Sequence, residues 1–187
     1  MRKIFITLSL CVLFMTANSQ TVSVEKSTSG IQTGFFGVWV HKEIKISNKI
    51  ALRGEVGFDS GIFGGSYYDG IGFLMTPVIT IEPRLYYNLN IRDSKGKSIS
   101  GNCGNFISIK TSYNPDWFVI SNHDNINIVN QVSIIPTWGI KRNIGKHFCF
   151  ETGAGIGYRY YFYDINGFNV NGGEAVLNLH LRIGYRF

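Results

Sequence analysis

The chain has 187 residues, a formal net charge of +6, 14% aromatic residues and 22 glycines. Its length suits one domain, its mild charge without a clustered basic stripe excludes a nucleic-acid partner, and no apolar run is long enough to cross a bilayer as a helix. Glycine well above the roughly 7% of an average domain, together with so many rings, favours a β-rich chain with tight turns.

Residues 1–19 read as a cleaved secretory signal peptide, leaving 20–187 as the mature domain. Arg2 and Lys3 precede an apolar run from Ile4 to Met15, and the small Ala17 and Ser19 stand where cleavage before Gln20 requires them. Cys11 lies mid-run behind the bulky Leu10, which argues against a lipid-attachment site. Loss of Arg2 and Lys3 lowers the formal charge by two. Cys103 and Cys149 remain with a strand expected between them, so they are expected to be free thiols.

After the signal, residues 21–26 alternate through Val22 and Val24 and serve as a first strand, followed by a polar turn at 27–30. Residues 31–46 form a second strand with Phe36, Val38, Val40, Ile44 and Ile46 on one face, and 47–49 a tight turn. The third strand, 50–63, sets Leu52, Val56, Phe58 and Ile62 against Arg53, Glu55 and Asp59. A loop at 64–70 leads to the fourth strand, 71 to about 90, where Phe73 to Leu89 alternate with Thr76, Thr80, Glu82, Arg84 and Tyr86. Residues 92–102 are charged and aperiodic, a connection.

The fifth strand spans 105–120, with Ile107, Ile109 and Tyr113 opposite Ser108, Lys110 and Ser112; a polar loop follows at 121–127. The sixth, about 128–141, sets Val132, Ile134, Pro136, Trp138 and Ile140 against Gln131, Ser133, Thr137 and Lys141. Past a turn at 142–146, the seventh, 147–163, faces Phe148, Phe150, Ile156, Tyr158 and Phe162 one way and Glu151, Gly153, Gly155, Gly157 and Arg159 the other. A loop at 164–173 precedes the eighth, 174–187, in which every odd position from Ala175 to Phe187 is apolar while Glu174, Asn178, His180, Arg182 and Arg186 alternate with them.

Period two repeated eight times, with connections that alternate short and long except for the long one at 92–102, predicts an all-β, eight-stranded antiparallel up-and-down transmembrane β-barrel, apolar outside and polar within. Pro77, Pro83 and Pro136 sit in strands that have no free edge to host them, so bulges are expected there. The signal at 1–19, the eight alternating strands and the closing Tyr185 and Phe187 resemble the small eight-stranded outer-membrane barrels of Gram-negative bacteria, the porin-family group of the OmpA membrane domain and OmpX. The resemblance implies residence in the outer membrane among its lipids and recognition of the closing strand by the barrel assembly machinery. It also implies a non-enzymatic structural or surface-interaction role, with a possible surface partner at loops 64–70, 121–127 and 164–173. Gly37 and Trp39 also match the Gly-x-Trp of lipocalins, yet a lipocalin wants an apolar cavity, a polar outside and a helix after its last strand. A secreted lipocalin-like carrier, or a barrel that binds a small ligand or forms a narrow channel, is the alternative.

The inward faces hold His41, Glu43, Lys45, Arg53, Glu55, Asp59, Glu82, Arg84, Lys110, Lys141, Glu151, Arg159, His180, Arg182 and Arg186. Folding about the turn at 47–49 puts Glu43 opposite Arg53 and His41 opposite Glu55, with Glu82 and Arg84 on the next strand. An eight-stranded barrel has room only for side chains inside, so His41, Glu43, Arg53, Glu55, Glu82, Arg84, Glu151, Arg159, Arg182 and Arg186 are expected to form a structural ion-pair network. Gly153, Gly155 and Gly157 would leave space for His180 and Arg182. Neither a His–Ser–acid constellation nor metal-ligand spacing is present, so no catalytic residue, cofactor or metal is expected.

Overall fold

A computed structural model describes residues 22–64, 70–124, 126–165 and 168–187. The expected signal at 1–19 and most of the 64–70 loop lie outside the described residues. In order, the elements are β1 (Ser27–Gly34), β2 (Gly37–Lys45), β3 (Ile50–Phe63), β4 (Gly72–Tyr86), α1 (Leu89–Ser94), β5 (Asn105–Asn114), β6 (Ile120–Ser121), β7 (Gln131–Ile144), β8 (Phe148–Ile165) and β9 (Phe168–Arg186). The fold is all-β. Every pairing is antiparallel, and the β3–β4 ladder joins the two halves of the sheet, so β1, β2, β3, β4, β5, β7, β8 and β9 close in a ring while β6 adds a short pairing to β4.

The base of the ring is the end where β1 begins and β9 finishes; the rim is the opposite end. β3 has the bounds its alternation predicts, and the turn expected at 47–49 lies between β2 and β3, beginning one residue earlier. Elsewhere the elements depart from the expected ones. Residues 22–25 are not a strand, and β1 begins at Ser27, where a turn was expected. The expected strand at 31–46 is two strands folded about Phe35 and Phe36, with Gly37 at φ +145°, a conformation that favours glycine. The hairpin reverses the parity of β1, so that Gln32 is buried and Ile31 is exposed.

β4 stops at Tyr86 instead of continuing to about 90, and its apolar run ends in α1. No side chain caps this helix at Asn88; it is held by burial of Leu89 at its first position. The fifth strand ends at Asn114, with Pro115 buried beyond it, and resumes as β6. The loop after β6 is tied to β4, since the Phe73 amide donates to Asn122 Oδ1 at 2.6 Å and Asn122 Nδ2 to the Ile71 carbonyl at 3.2 Å. The expected loop at 164–173 is instead a continuation of β8 and β9, which pair as far as Ile165 and Phe168.

The prolines produce no bulges. Along β4–β5 the pairs Ile81 with Thr111 and Arg84 with Ser108 keep one register across Pro83, and along β7–β8 Ile134 with Tyr158 and Thr137 with Gly155 do so across Pro136. The ladder omits those positions because proline has no N–H to donate. Pro77 lies where β5 has ended, and its carbonyl accepts from Asn114 Nδ2 at 3.2 Å.

Among the described residues a conventional apolar core occurs at the base. Val24, Ala51, Tyr86, Leu89 and Phe106 pack together there, with Val22 and Ile99 against them. The segment before β1 and the α1 connection thus cover this end of the ring. Asn102, at φ 60°, is one of the few residue types that tolerate the left-handed region, and its Oδ1 accepts the Glu25 amide at 2.8 Å. Cys103 and Cys149 are buried free thiols, and burial pushes the Cys103 pKa up, which keeps that thiol protonated. Maleimide should therefore leave both cysteines unmodified in the folded protein and label both in urea; rapid labelling of either under native conditions would show that the base is open.

Candidate functional site

The inside of the ring is built from charge. Arg53, Glu43 and Glu151 are completely buried and Glu55, Glu82, Arg84, Lys141 and Arg182 nearly so. They are brought together because the inward rows of β2, β3, β4, β7, β8 and β9 meet at one level. Glu43 pairs with Arg53, Arg53 with Glu82 and Glu151 with both Lys141 and Arg182 in the strand registers.

Glu43 is the hub. Its Oε1 accepts from Lys141 Nζ at 2.9 Å, Arg53 Nη1 at 3.1 Å and Arg84 Nη1 at 3.4 Å, and its Oε2 from Asn102 Nδ2 at 2.7 Å and Tyr86 Oη at 3.1 Å. Arg84 donates both Nη atoms to Glu151, at 2.8 and 2.9 Å, and Nη2 to Glu82 at 2.7 Å. Arg53 pairs with Glu55 through Nε and donates to Gln32 Oε1. Arg182 donates to both Glu55 oxygens at 3.0 Å and lies 3.8 Å over the Trp39 ring, while Arg84 lies 4.2 Å over Phe106. Four carboxylates face four cations, so the cluster is formally neutral, the condition under which buried charge is tolerable.

Of the expected network, Glu43, Arg53, Glu55, Glu82, Arg84, Glu151 and Arg182 converge. His41 is buried opposite Glu55 in register, but its Nδ1 has no hydrogen-bond partner. Arg159 and Arg186 lie apart from the cluster. Arg159 is half-buried towards the rim, 3.6 Å from Glu174, and Arg186 donates to the Lys146 carbonyl at the base. Tyr185 packs on His147 and Phe148, each at 5.4 Å between ring centres, and the Phe187 amide bonds the Ser29 carbonyl at 3.0 Å. Gly153 stands opposite His180, and a Cβ there would come within 2.6 Å of the imidazole.

Sequence reasoning left Lys141, Gln32, Tyr86 and Asn102 out of the network. Lys141 and Tyr86 are visible from alternation. Gln32 was hidden by the merged first hairpin, and Asn102 lies in an aperiodic connection that gives no signal. Among the described residues no group of His, Cys, Asp or Glu is placed to hold a metal ion. Comparison with family models, with curated proteins and with solved structures found no match to this chain.

The chemistry available to such a cluster is mutual neutralisation and the fixing of strand register. Arg53→Glu places a fourth acid among Glu43, Glu55 and Glu151 and should cost about 3 to 5 kcal/mol in urea unfolding. Reversing both partners, Glu43→Arg with Arg53→Glu, should not restore the loss, because Glu43 also holds Arg84 and Lys141; full recovery would reduce the hub to an isolated pair.

Proposed function

We propose that the chain is an integral outer-membrane β-barrel, delivered by a secretory signal peptide and non-enzymatic, whose role is structural or one of surface contact through its rim. The reading follows the family resemblance of the sequence and rests above all on one observation, the inversion of the usual burial pattern. Arg53, Glu43 and Glu151 are 0% exposed, whereas Ile156, Leu177 and Val56 are more than 60% exposed. Exposed Val40, Ile81, Ile107, Ile109, Ile134 and Leu179 extend that band around the ring. A surface so apolar needs an apolar surrounding.

Exposed rings border the band in the manner of interfacial girdles. Tyr87, Trp138, Phe148, Tyr185 and Phe187 lie towards the base, and Phe73, Tyr113, Phe118, Tyr158 and Phe162 towards the rim. Tyr185 and Phe187 are the residues the barrel assembly machinery would read. The rim loops would meet a surface partner, and the cluster around Glu43 obstructs a continuous aqueous path.

The protein should fractionate with outer membranes, migrate differently on gels before and after boiling and give no steady channels in planar bilayers. Recovery as a soluble periplasmic protein would favour the lipocalin-like carrier. Ile109→Arg separates the two readings energetically. The side chain is about half exposed, so in water the change should stay within about 0.5 kcal/mol, whereas on the lipid face near the midplane it should cost about 2 to 4 kcal/mol in urea unfolding from vesicles.

A further inference from the structure

The wall of the ring is cut on one side. β1 and β2 have 8 and 9 residues against 14 in β3 and 19 in β9, so their hairpin turns at Phe35 and Phe36 short of the rim. β1 leaves β9 at the pair Gly34 with Arg182, and β2 leaves β3 at the pair Gly37 with Asp59. Among the described residues, β9 from Gly172 to Leu181 therefore has no strand beside it on that edge. A cavity of about 380 Å³ occupies the notch, with Lys110, Arg159, His180 and Arg182 on its inner side and Phe36 and the β9 edge at its mouth. It shares Phe36, Leu179, His180 and Leu181 with an outer, mostly apolar groove of about 400 Å³ that runs over Ala154 and Trp138 beneath Phe35.

An open sheet edge does not persist against hydrocarbon unless it lines water or a polar ligand. The chamber is also oversupplied with donors. Arg159 Nη1 lies 3.6 Å from Glu174 and Arg182 Nη1 is held by Glu55, yet Nε of each is buried without a hydrogen-bond partner. Lys110 makes no hydrogen bond or close ion pair among the described residues; Arg182 repels it, while Glu55, Asp59 and Glu82 attract it from a distance. The acid of the chamber, Asp59, is engaged by Trp39 Nε1 at 2.9 Å and Asn114 Nδ2 at 3.2 Å. Spare cationic donors inside and an apolar groove outside, joined at Leu179 and Leu181, fit a molecule with an anionic head and one apolar chain.

We propose that the notch binds a single-chain anionic amphiphile, its carboxylate or phosphate held by Lys110, Arg159 and Arg182 and its chain lying along Phe36, Leu179 and Leu181. The inference rests on the bilayer reading above. It assigns the upper half of the barrel a ligand that borders the ion-paired cluster at Arg182, whose Nη1 stays on Glu55, while the lower half stays closed.

The test uses the full mature chain in phosphatidylcholine vesicles with Trp117→Phe and Trp138→Phe, so that Trp39, in the cavity wall, is the sole indole. The probe is 5-doxyl-stearate, whose nitroxide lies close to its carboxylate. Saturable quenching of Trp39 is expected, with the neutral methyl ester needing at least tenfold more and Lys110→Gln weakening the acid by about tenfold; Lys95→Gln, in the base connection, should change nothing. Competition by palmitate against hexadecyl phosphate then tells which anion is preferred. Flotation with the vesicles and heat-dependent gel migration are read on every sample. Floating, heat-modifiable protein whose quenching is unsaturable, or is equal for acid and ester, overturns this inference alone. Failure to float overturns the bilayer reading and the inference with it. A stable dimer that shields the β9 edge would assign the notch to a second copy and overturn the proposal; should Lys110→Gln not fold, the comparison of acid with ester on the parent protein still decides.

Discussion

Everything in this barrel depends on the neutrality of the charge cluster around Glu43. Four carboxylates and four cations share an interior from which water is nearly excluded, and an unpaired member would cost several kcal/mol. Because Glu43 reaches Arg53, Arg84 and Lys141 at once, the pairing of β2 with β3 cannot be altered without disturbing β4 and β7. A slip of one residue in any of these strands would turn its charges outward and its aliphatic side chains inward. The cluster therefore acts as a register lock for a fold whose apolar residues face away from the centre and cannot supply an interdigitated core. Where an ordinary core does exist, around Tyr86 and Phe106, it borders the cluster: Tyr86 donates to Glu43, and Arg84 stacks on Phe106.

Much of this arrangement is legible in the sequence. Alternation alone identifies β3 to the residue and sets the inward rows of β2, β4, β5, β7, β8 and β9, and folding about the turn after β2 puts Glu43 opposite Arg53 and His41 opposite Glu55, as the registers have them. The failures have particular causes. Phe35 and Phe36 look like a continuation of an apolar strand, and only the bracketing Gly34 and Gly37 hint at a turn. Residues 164–173, rich in Asn and Gly, have loop composition, yet the β8–β9 ladder continues to the pair Ile165 with Phe168. Leu89 keeps the alternation of β4 but is drawn into the base core, and the chain coils into α1 to place it there. Prolines suggested bulges because each lacks a donor, but the neighbouring ladder simply omits those positions.

The two ends of the ring differ in kind. The base is covered by α1, its following turn and the segment before β1, and Asn102 links that cover to the buried cluster through Glu43. Towards the rim the wall is tall at β8 and β9 and low at the first hairpin, which leaves a one-sided notch. The short hairpin, which alternation does not reveal, therefore shapes this notch. In the bilayer proposed for it, a base so covered below a laterally cut wall would favour exchange with lipid over passage through the barrel.

The central claim is that this ring is polar inside and lipid-facing outside, and β5, whose outer face stands across the ring from the notch, offers a clean place to measure it. With Cys103 and Cys149 replaced by Ala, single cysteines from Ile107 to Tyr113 can be labelled with bimane and the protein reconstituted into vesicles that carry nitroxide on the lipid chains. The account predicts strong quenching at Ile107, Ile109, Thr111 and Tyr113 and weak quenching at Ser108, Lys110 and Ser112. Quenching without that alternation, or stronger at the even positions, would contradict it.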